Sequence, residues 1–317
     1  MAAKKKMKFA SLHTHTTFSH GDGYGLVSEH FDQADALGIG DIATTEHRST
    51  SSHVMFEMEA ELRGMKAIYG CEFDVAMPNE PYRRHFHQTV LAMDEEGYRN
   101  LNRLMTLAWK QTHYVPRLYV PQLLDPELTK GLIVLSGCCD SFLSCTILGG
   151  KTFGDKKPDW EQEDIRAGRI LVEQYQQVYG DRYYLECQQF PQLERSTILN
   201  QAFMDISSVT GVEPVVTADI HYPLEEHQEI QPFLHMAHRG GTLESEADSD
   251  WEYNISLAYP ESDQVVLDHL MQQQLTETEA KRALRNTGMI ADRCNVKLPT
   301  SERIRYNITE KDWNAWV

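Results

Sequence analysis

Leu12-His-Thr-His-Thr-Thr-Phe-Ser-His-Gly-Asp-Gly23 follows a short apolar run, residues 7–12, that reads as a strand. In a strand, residues i and i+2 project to the same face. His13 and His15 can therefore offer two imidazoles to one ion, and Asp22 can return from a Gly-flanked turn as an oxygen ligand. Imidazole together with carboxylate suits zinc, manganese or iron. A lone His-x-His is weak, so the weight falls on whether the rest of the chain supplies ligands in equivalent places.

Working outward, the same arrangement recurs. Residues 42–45 run directly into Glu46 and His47, 68–71 into Glu72, 132–137 into Cys138, and 215–218 into Asp219 and His221. Each apolar run is followed at once by a residue able to bind metal. The runs at 9–12, 41–45, 67–75, 87–93, 132–135, 183–187 and 214–217 read as strands. Helix-period segments lie between them at 26–37, 54–62, 95–109, 160–179 and 194–209, and another follows at 225–236. This β-α alternation predicts a parallel sheet or a closed β/α barrel. A barrel would bring the carboxyl ends of its strands to one rim, where ligands bind.

His87 is the awkward member, because it begins its apolar run. A hairpin of 71–77 with 84–91, turning at Asn79 and Glu80, would set Glu72 roughly opposite His87, with His85 facing the same way. Nine ligand-type residues then share a rim: His13, His15, Asp22, His47, Glu72, His87, Cys138, Asp219 and His221. Taken alone, Glu46 reads as a helix-start carboxylate and Cys139 as a small core residue. His20, His53, His113, His227, His235, His238 and His269 lack strand-end placement and read as structural. Segments 77–81, 111–130 and 149–158 read as turn or loop, and 261–274 and 277–294 as helices outside the alternation. The expected organisation is a barrel over 1–240. An acidic connection and closing C-terminal helices, 241–317, pack on the same domain.

Composition sets limits. The 317 residues carry a formal charge of −17, with 47 acidic against 30 basic side chains. That argues against a broad sequence-independent grip on nucleic acid, which needs a basic face. It leaves a phosphate substrate open, because bound divalent ions reverse the potential inside a cleft. The six cysteines form no CxxC pair, so neither a disulfide framework nor a zinc knuckle is expected. The basic N-terminus lacks an apolar h-region, and no run approaches the ~18 apolar residues of a membrane span. A cytoplasmic setting with no membrane partner is the expectation.

The chain resembles the PHP (polymerase and histidinol phosphatase) family, in particular the PHP domain of bacterial DNA polymerase III alpha subunits. The matching stretches are Leu12-His-Thr-His15, Phe18-Ser-His-Gly-Asp-Gly23, Thr45-Glu-His47, Tyr69-Gly-Cys-Glu72 and His87 through Leu101. They continue with Val115-Pro-Arg117, Leu135-Ser-Gly-Cys138, Val216-Thr-Ala-Asp-Ile-His-Tyr222, Ala283 to Thr287 and Ile290 to Val296. The resemblance implies a distorted (β/α)7 barrel, an α/β fold with a metal cluster at the C-terminal rim. It implies that His13, His15, Glu72 and Asp219 share one ion, and that Glu72, bridging, holds a second with His87 and Cys138. Asp22, His47 and His221 would hold a third. Glu46 and Arg48 depart from the Asp and Gly usual around the second motif's histidine, and Cys139 and Asp140 stand where small residues are more usual. A polymerase palm is absent from these 317 residues, so polymerisation is not expected of this chain.

The resulting expectation is a phosphoesterase using two to three divalent ions (zinc, manganese or iron). A metal-bridging hydroxide would attack phosphorus, with no protein general base. DNA hydrolysis from the 3′ end, as a 3′–5′ exonuclease, is favoured. The alternatives are a small-molecule phosphomonoesterase of the histidinol-phosphatase kind, or a non-catalytic module docking on a replicative polymerase or other replication protein. Arg48 and Arg117 are the expected phosphate clamps, since guanidinium forks match phosphate oxygens.

Overall fold

The computed structural model describes residues 8–78, 85–149, 164–242 and 254–300. The chain alternates helix and strand: α1 (Val27–Leu37), β1 (Asp41–Thr44), α2 (His53–Arg63), β2 (Lys66–Ala76), β3 (Phe86–Ala92) and α3 (Glu95–Lys110). A short β4 (Leu118–Tyr119) and one helical turn, α4 (Val120–Leu123), lead to β5 (Leu132–Leu135) and α5 (Phe142–Ile147). Then come α6 (Ile165–Tyr179), β6 (Tyr183–Gln188), α7 (Glu194–Thr210), β7 (Pro214–Thr217), α8 (Gln231–Arg239), α9 (Asp263–Gln272) and α10 (Glu277–Arg293).

The local causes are ordinary. In α3, Leu101, Leu104, Met105 and Ala108 bury one helical face. Asp94 caps that helix by accepting from the Gly97 N–H at 2.8 Å, and Glu95 and Glu96 favour its positive end. Gly38 and Gly64 end α1 and α2 in the left-handed conformation that Gly adopts without a steric penalty. α10 opens on a Thr276–Glu279 capping box.

The strands run in the order β1-β2-β3-β5-β6-β7, with β4 paired to β2. β1–β2, β5–β6 and β6–β7 are parallel, whereas β3 is antiparallel to both β2 and β5. The first apolar run closes the ring. Ser11 pairs beside Ile42, and Thr14 pairs beside Ile220 beyond the end of β7. The His15 N–H donates to Ile220 O at 2.7 Å, and the Ile220 N–H to His13 O at 3.0 Å. This segment was expected as a continuous strand and instead makes isolated bridges. One reason is local: the Thr14 N–H goes to the Thr45 hydroxyl at 2.8 Å rather than to a backbone carbonyl. The result is the distorted β/α barrel.

Inside the ring, Leu12, Ala43, Ile68, Leu91, Ile133, Leu135 and Val215 pack together. Ile290, Ala291 and Cys294, from the end of α10 and just beyond it, join them and plug one mouth of the barrel. A larger core fills the space between strands and outer helices. The tie of α10 to the barrel is also polar. The Ala10 N–H donates to Thr287 Oγ1, and Asn286 Nδ2 to Pro214 O.

Sequence periodicity missed α5, whose six residues are too short to show a helical period; Ser141 caps it by accepting from the Ser144 N–H. It also missed β4 and α4 inside 111–130. The expected helix at 225–236 is a 3-10 segment, Glu225–Ile230, followed by α8, where Pro232 occupies the first turn that tolerates it. Residues 160–163 of the expected helix at 160–179, and parts of the expected 77–81 turn, 149–158 loop and acidic connection, lie outside the described residues.

Two histidines packed deep in this scaffold set an acid limit. His53 Nε2–H donates to Gly70 O at 2.9 Å and Nδ1 faces Tyr98 Oη at 3.3 Å; His30 likewise meets Tyr24 O and Tyr259 Oη. Burial pushes both from 6.5 down to about 4. Unfolded chains take up these protons below pH 6.5 and the folded chain does not. The contribution of these two histidines is therefore fully present above 6.5 and falls between there and pH 4, by about 1.4 kcal/mol per pH unit per group. Urea midpoints at pH 7 and pH 5 check this: His53→Gln should flatten the pH dependence, and an unchanged slope would contradict it.

Candidate metal centre

The open rim collects all nine ligand-type residues. His13 and His15 lie on the closing segment, His47 and Glu72 lie side by side on a β-bridge, and Cys138 follows β5. Asp219 and His221 follow β7. His87 reaches the same rim because β3 runs antiparallel, so its start lies where its neighbours end. The hairpin register differs from expectation: Asp74 pairs with His87 and Glu72 with Thr89. Glu72 and His87 still meet diagonally, with Nδ1 3.4 Å from Oε1.

Glu72 is the hub. Oε1 lies 3.3 Å from His13 Nε2, and Oε2 lies 3.4 Å from His15 Nε2 and 2.9 Å from His47 Nδ1. Asp219 Oδ1 lies 3.3 and 3.5 Å from the same two Nε2 atoms of His13 and His15. Asp22 Oδ2 lies 2.9 Å from His47 Nε2 and 3.4 Å from His221 Nε2. Cys138 Sγ stands 3.4 Å from His87 Nδ1. Among the described residues, three sets bring donor atoms within 4.8 Å of one another: His13, His15 and Asp219; His47, Glu72 and His87; and His15, His47 and His221. They overlap the partition implied by the family resemblance without matching it. His47 falls nearer Glu72 and His87 than that partition has it.

The ring tautomers follow from the partners. Glu186, fully buried, accepts from His13 Nδ1–H at 2.6 Å, and also from Thr217 Oγ1, Thr89 Oγ1 and the Gly137 N–H. Ser19 spends its one proton on Glu46 Oε2 at 2.6 Å, so His15 Nδ1 must donate to Ser19 Oγ at 2.9 Å. His221 Nδ1 donates to Asp219 O at 2.8 Å. Asp219 adopts a left-handed φ of 45°, which Asp tolerates better than most residues. In the neutral rings Nε2 of His13, His15 and His221 is thereby left as a lone pair directed into the cluster, the usual way a ligating imidazole is oriented.

Electrostatics point the same way. Burial alone would depress His13, but Asp219, Glu186 and Glu72 outweigh it and hold the imidazole well above its usual value. Burial also opposes protonation of His47, and Glu72 and Asp22 raise it to about 10. Burial and the neighbouring His47 and His221 keep His15 well below its ordinary value. Burial tends to raise Glu72, yet His87, His13 and His47 hold it well below the carboxylate range. Burial, reinforced by Glu72 and Asp219, pushes the Cys138 thiol up. Protons thus neutralise this rim where cations do not, and metal must displace them.

The donor set fits metal. Among the nine rim residues, four buried side-chain atoms make no hydrogen bond: His13 Nε2, His15 Nε2, Glu72 Oε1 and Asp219 Oδ1. Buried polar atoms are rarely left so, and a bound cation is one of the partners that satisfies them. These four belong to the residues expected to share one ion.

The sequence reading missed the supporting residues. Glu186 sits inside a strand, where an acidic residue signals no ligand, and Glu46 holds Thr16 and Ser19 rather than starting a helix. Arg195 lines the cavity above the cluster with Asp140, Gln188 and Phe190, and pairs with Asp140 Oδ1 at 2.9 Å. The expected clamps Arg48 and Arg117 do not line that cavity. Arg48 pairs with buried Asp74 at 3.0 Å, and buried Arg117 donates to His113 O. Replacing Glu186 by Gln removes the charged acceptor behind His13. Metal affinity should fall about 10–100-fold, read by chelator competition; an unchanged affinity would count against the role assigned to Glu186.

A family model, the PHP domain, matches residues 11–190. The chain belongs to the PHP domain family. DNA polymerase III subunit alpha of Treponema pallidum is 29% identical over 308 residues, 93% of this chain and 24% of that protein. The Thermus aquaticus subunit is 28% identical over 96% of this chain and 24% of its own length. An error-prone DNA polymerase of Symbiobacterium thermophilum is 26% identical over 94% of this chain and 26% of its own length. This PHP chain spans about a quarter of the length of these relatives. A solved Bifidobacterium adolescentis structure, provisionally described as a metal-dependent phosphoesterase, aligns at 12% identity and a TM-score of 0.43. It covers 67% of this chain and 87% of that one. No helix among the described residues is long and apolar enough to cross a membrane.

Proposed function

We propose that this PHP domain is a metal-dependent phosphoesterase that hydrolyses phosphodiesters at the 3′ end of DNA. One observation carries the reading: the hydrogen-bond-free atoms of His13, His15, Glu72 and Asp219 converge at the barrel rim. Three carboxylates and five imidazoles in contact there call for cations. Bound divalent ions supply Lewis acidity toward phosphoryl oxygens and an activated water at neutral pH. His13, His15, Glu72 and Asp219 would hold one of them, Glu72, His87 and Cys138 a second, and Asp22, His47 and His221 a third. Zinc, manganese and iron all suit the set, and the Cys138 thiolate favours zinc at its position.

The chain's own residues orient and select. Glu186, Ser19 and the Asp219 carbonyl fix three imidazoles, and Gln188 Nε2 donates to Asp219 Oδ2 at 2.8 Å. Arg195 places a guanidinium on the cavity wall, the position from which a phosphate is gripped. No side chain is assigned as general base, because the rim carboxylates and imidazoles are committed to one another. DNA as substrate is supported by the similarity to polymerase III alpha subunits, and a replication protein is the partner class it suggests. The −17 charge favours the second reading, a small phosphomonoester.

The test uses manganese with 3′-labelled single-stranded DNA beside a chromogenic phosphomonoester. Shortening of the DNA that is lost in His13→Ala supports the proposal. Activity on the monoester alone selects the second reading. Equal activity of wild type and variant rejects this site.

A further inference from the structure

The five histidine ligands, Glu72 and Asp219 lie on or immediately beside sheet-paired backbone, and Cys138 lies in the bend that follows β5. Asp22 comes from a turn, in which its N–H and that of Gly23 donate to Ser19 O at 3.1 and 2.9 Å. A carboxylate on a turn needs an outside hold to keep one oxygen toward the cluster. The hold is α8. His235 Nε2 lies 2.7 Å from Asp22 Oδ1, and Gln231 Nε2, one helical turn earlier, lies 3.3 Å from the same oxygen. The other oxygen, Oδ2, is the one facing His47 and His221. His235 is 2% exposed, so this contact forms out of water.

The loop is pressed onto the helix at a second point. Gly21 has φ +82°, and a Cβ built there would lie 2.5 Å from His238 Cγ. His20 also meets the His238 ring edge-on, with centroids 5.7 Å apart. Only a residue without a side chain lets the turn approach α8 closely enough for His235 to reach Asp22.

We propose that His235 is a positioning residue: it holds the outer oxygen of Asp22 so that the inner one completes an ion site with His47 and His221. This rests on the metal-binding reading above. His235 acts through Asp22 and touches no ion. Without it, the carboxylate can turn and leave His47 and His221 short of their oxygen ligand. The sites built on His13, His15 and Asp219 do not depend on α8.

The full chain is loaded with manganese, freed of excess, and its ions counted by elemental analysis, with circular dichroism confirming the fold. His235→Phe keeps an aromatic ring but no donor, and should bind one ion fewer than wild type. His235→Gln keeps an N–H donor and should restore wild-type content. A folded His235→Phe with wild-type content overturns the proposal, as does a His235→Gln equally deficient. Should His235→Phe not fold, His235→Ala is counted with and without added imidazole. Recovery of the ion supports the proposal, and no recovery overturns it. Wild-type content below two ions strikes the metal reading itself, a distinct result.

Discussion

Glu72→Gln is expected to abolish metal-dependent hydrolysis while leaving the barrel folded. The substitution keeps the volume and removes the charge that faces four imidazoles: His13, His15, His47 and His87, at 2.9 to 3.4 Å. No other residue of the cluster faces as many. Removing residues one shell further out typically weakens metal sites 10–100-fold, so losing the shared carboxylate should exceed that, by at least about a hundredfold in rate. The fold should survive because Glu72 lies at the rim, away from the packed interior of Leu12, Ile68, Leu91 and Val215. Release of labelled nucleotide from DNA, or of product from a phosphomonoester, reads the effect. Activity within a few-fold of wild type would exclude Glu72 as the shared ligand.

Chelation should lower the melting temperature by on the order of 10 °C. Ions bound only by the folded chain stabilise it by about 4 kcal/mol at a thousandfold excess over Kd. For a chain of 317 residues each kcal/mol is worth roughly 1.5–2 °C. The loss is a shift and not a collapse, because protons on His13 and His47 take over part of the cations' charge. Thermal scans with and without chelator measure it, and readdition of manganese should reverse it. Coincident curves would contradict a folded-state metal cluster.

Much of this was legible in the sequence, for a physical reason. A β/α barrel gathers strand ends, so a ligand-type residue after each apolar run identifies the rim without coordinates. His47, Glu72, Cys138, Asp219 and His221 were readable in that way. His87 needed the antiparallel hairpin, which the turn residues signalled, although the register did not follow from them: Asp74, not Glu72, pairs with His87. What stayed hidden were residues whose roles exist only in three dimensions. Glu186 is an acid in a strand whose neighbours are buried, and its value comes from His13, 173 positions away. His235 lies on a helix, with no strand-end signal, and meets Asp22 across 213 positions. Arg195 pairs with Asp140 on the cavity wall through the packing of α7, whereas Arg117, which carries a motif match, is drawn into the interior.

The most direct test is the metal content of the wild-type chain, loaded with manganese or zinc and freed of excess. Two to three ions per chain are predicted, with His13→Ala and Glu72→Gln each reducing the count. Fewer than two ions, or a count that neither substitution lowers, would contradict the metal cluster on which the proposed function stands.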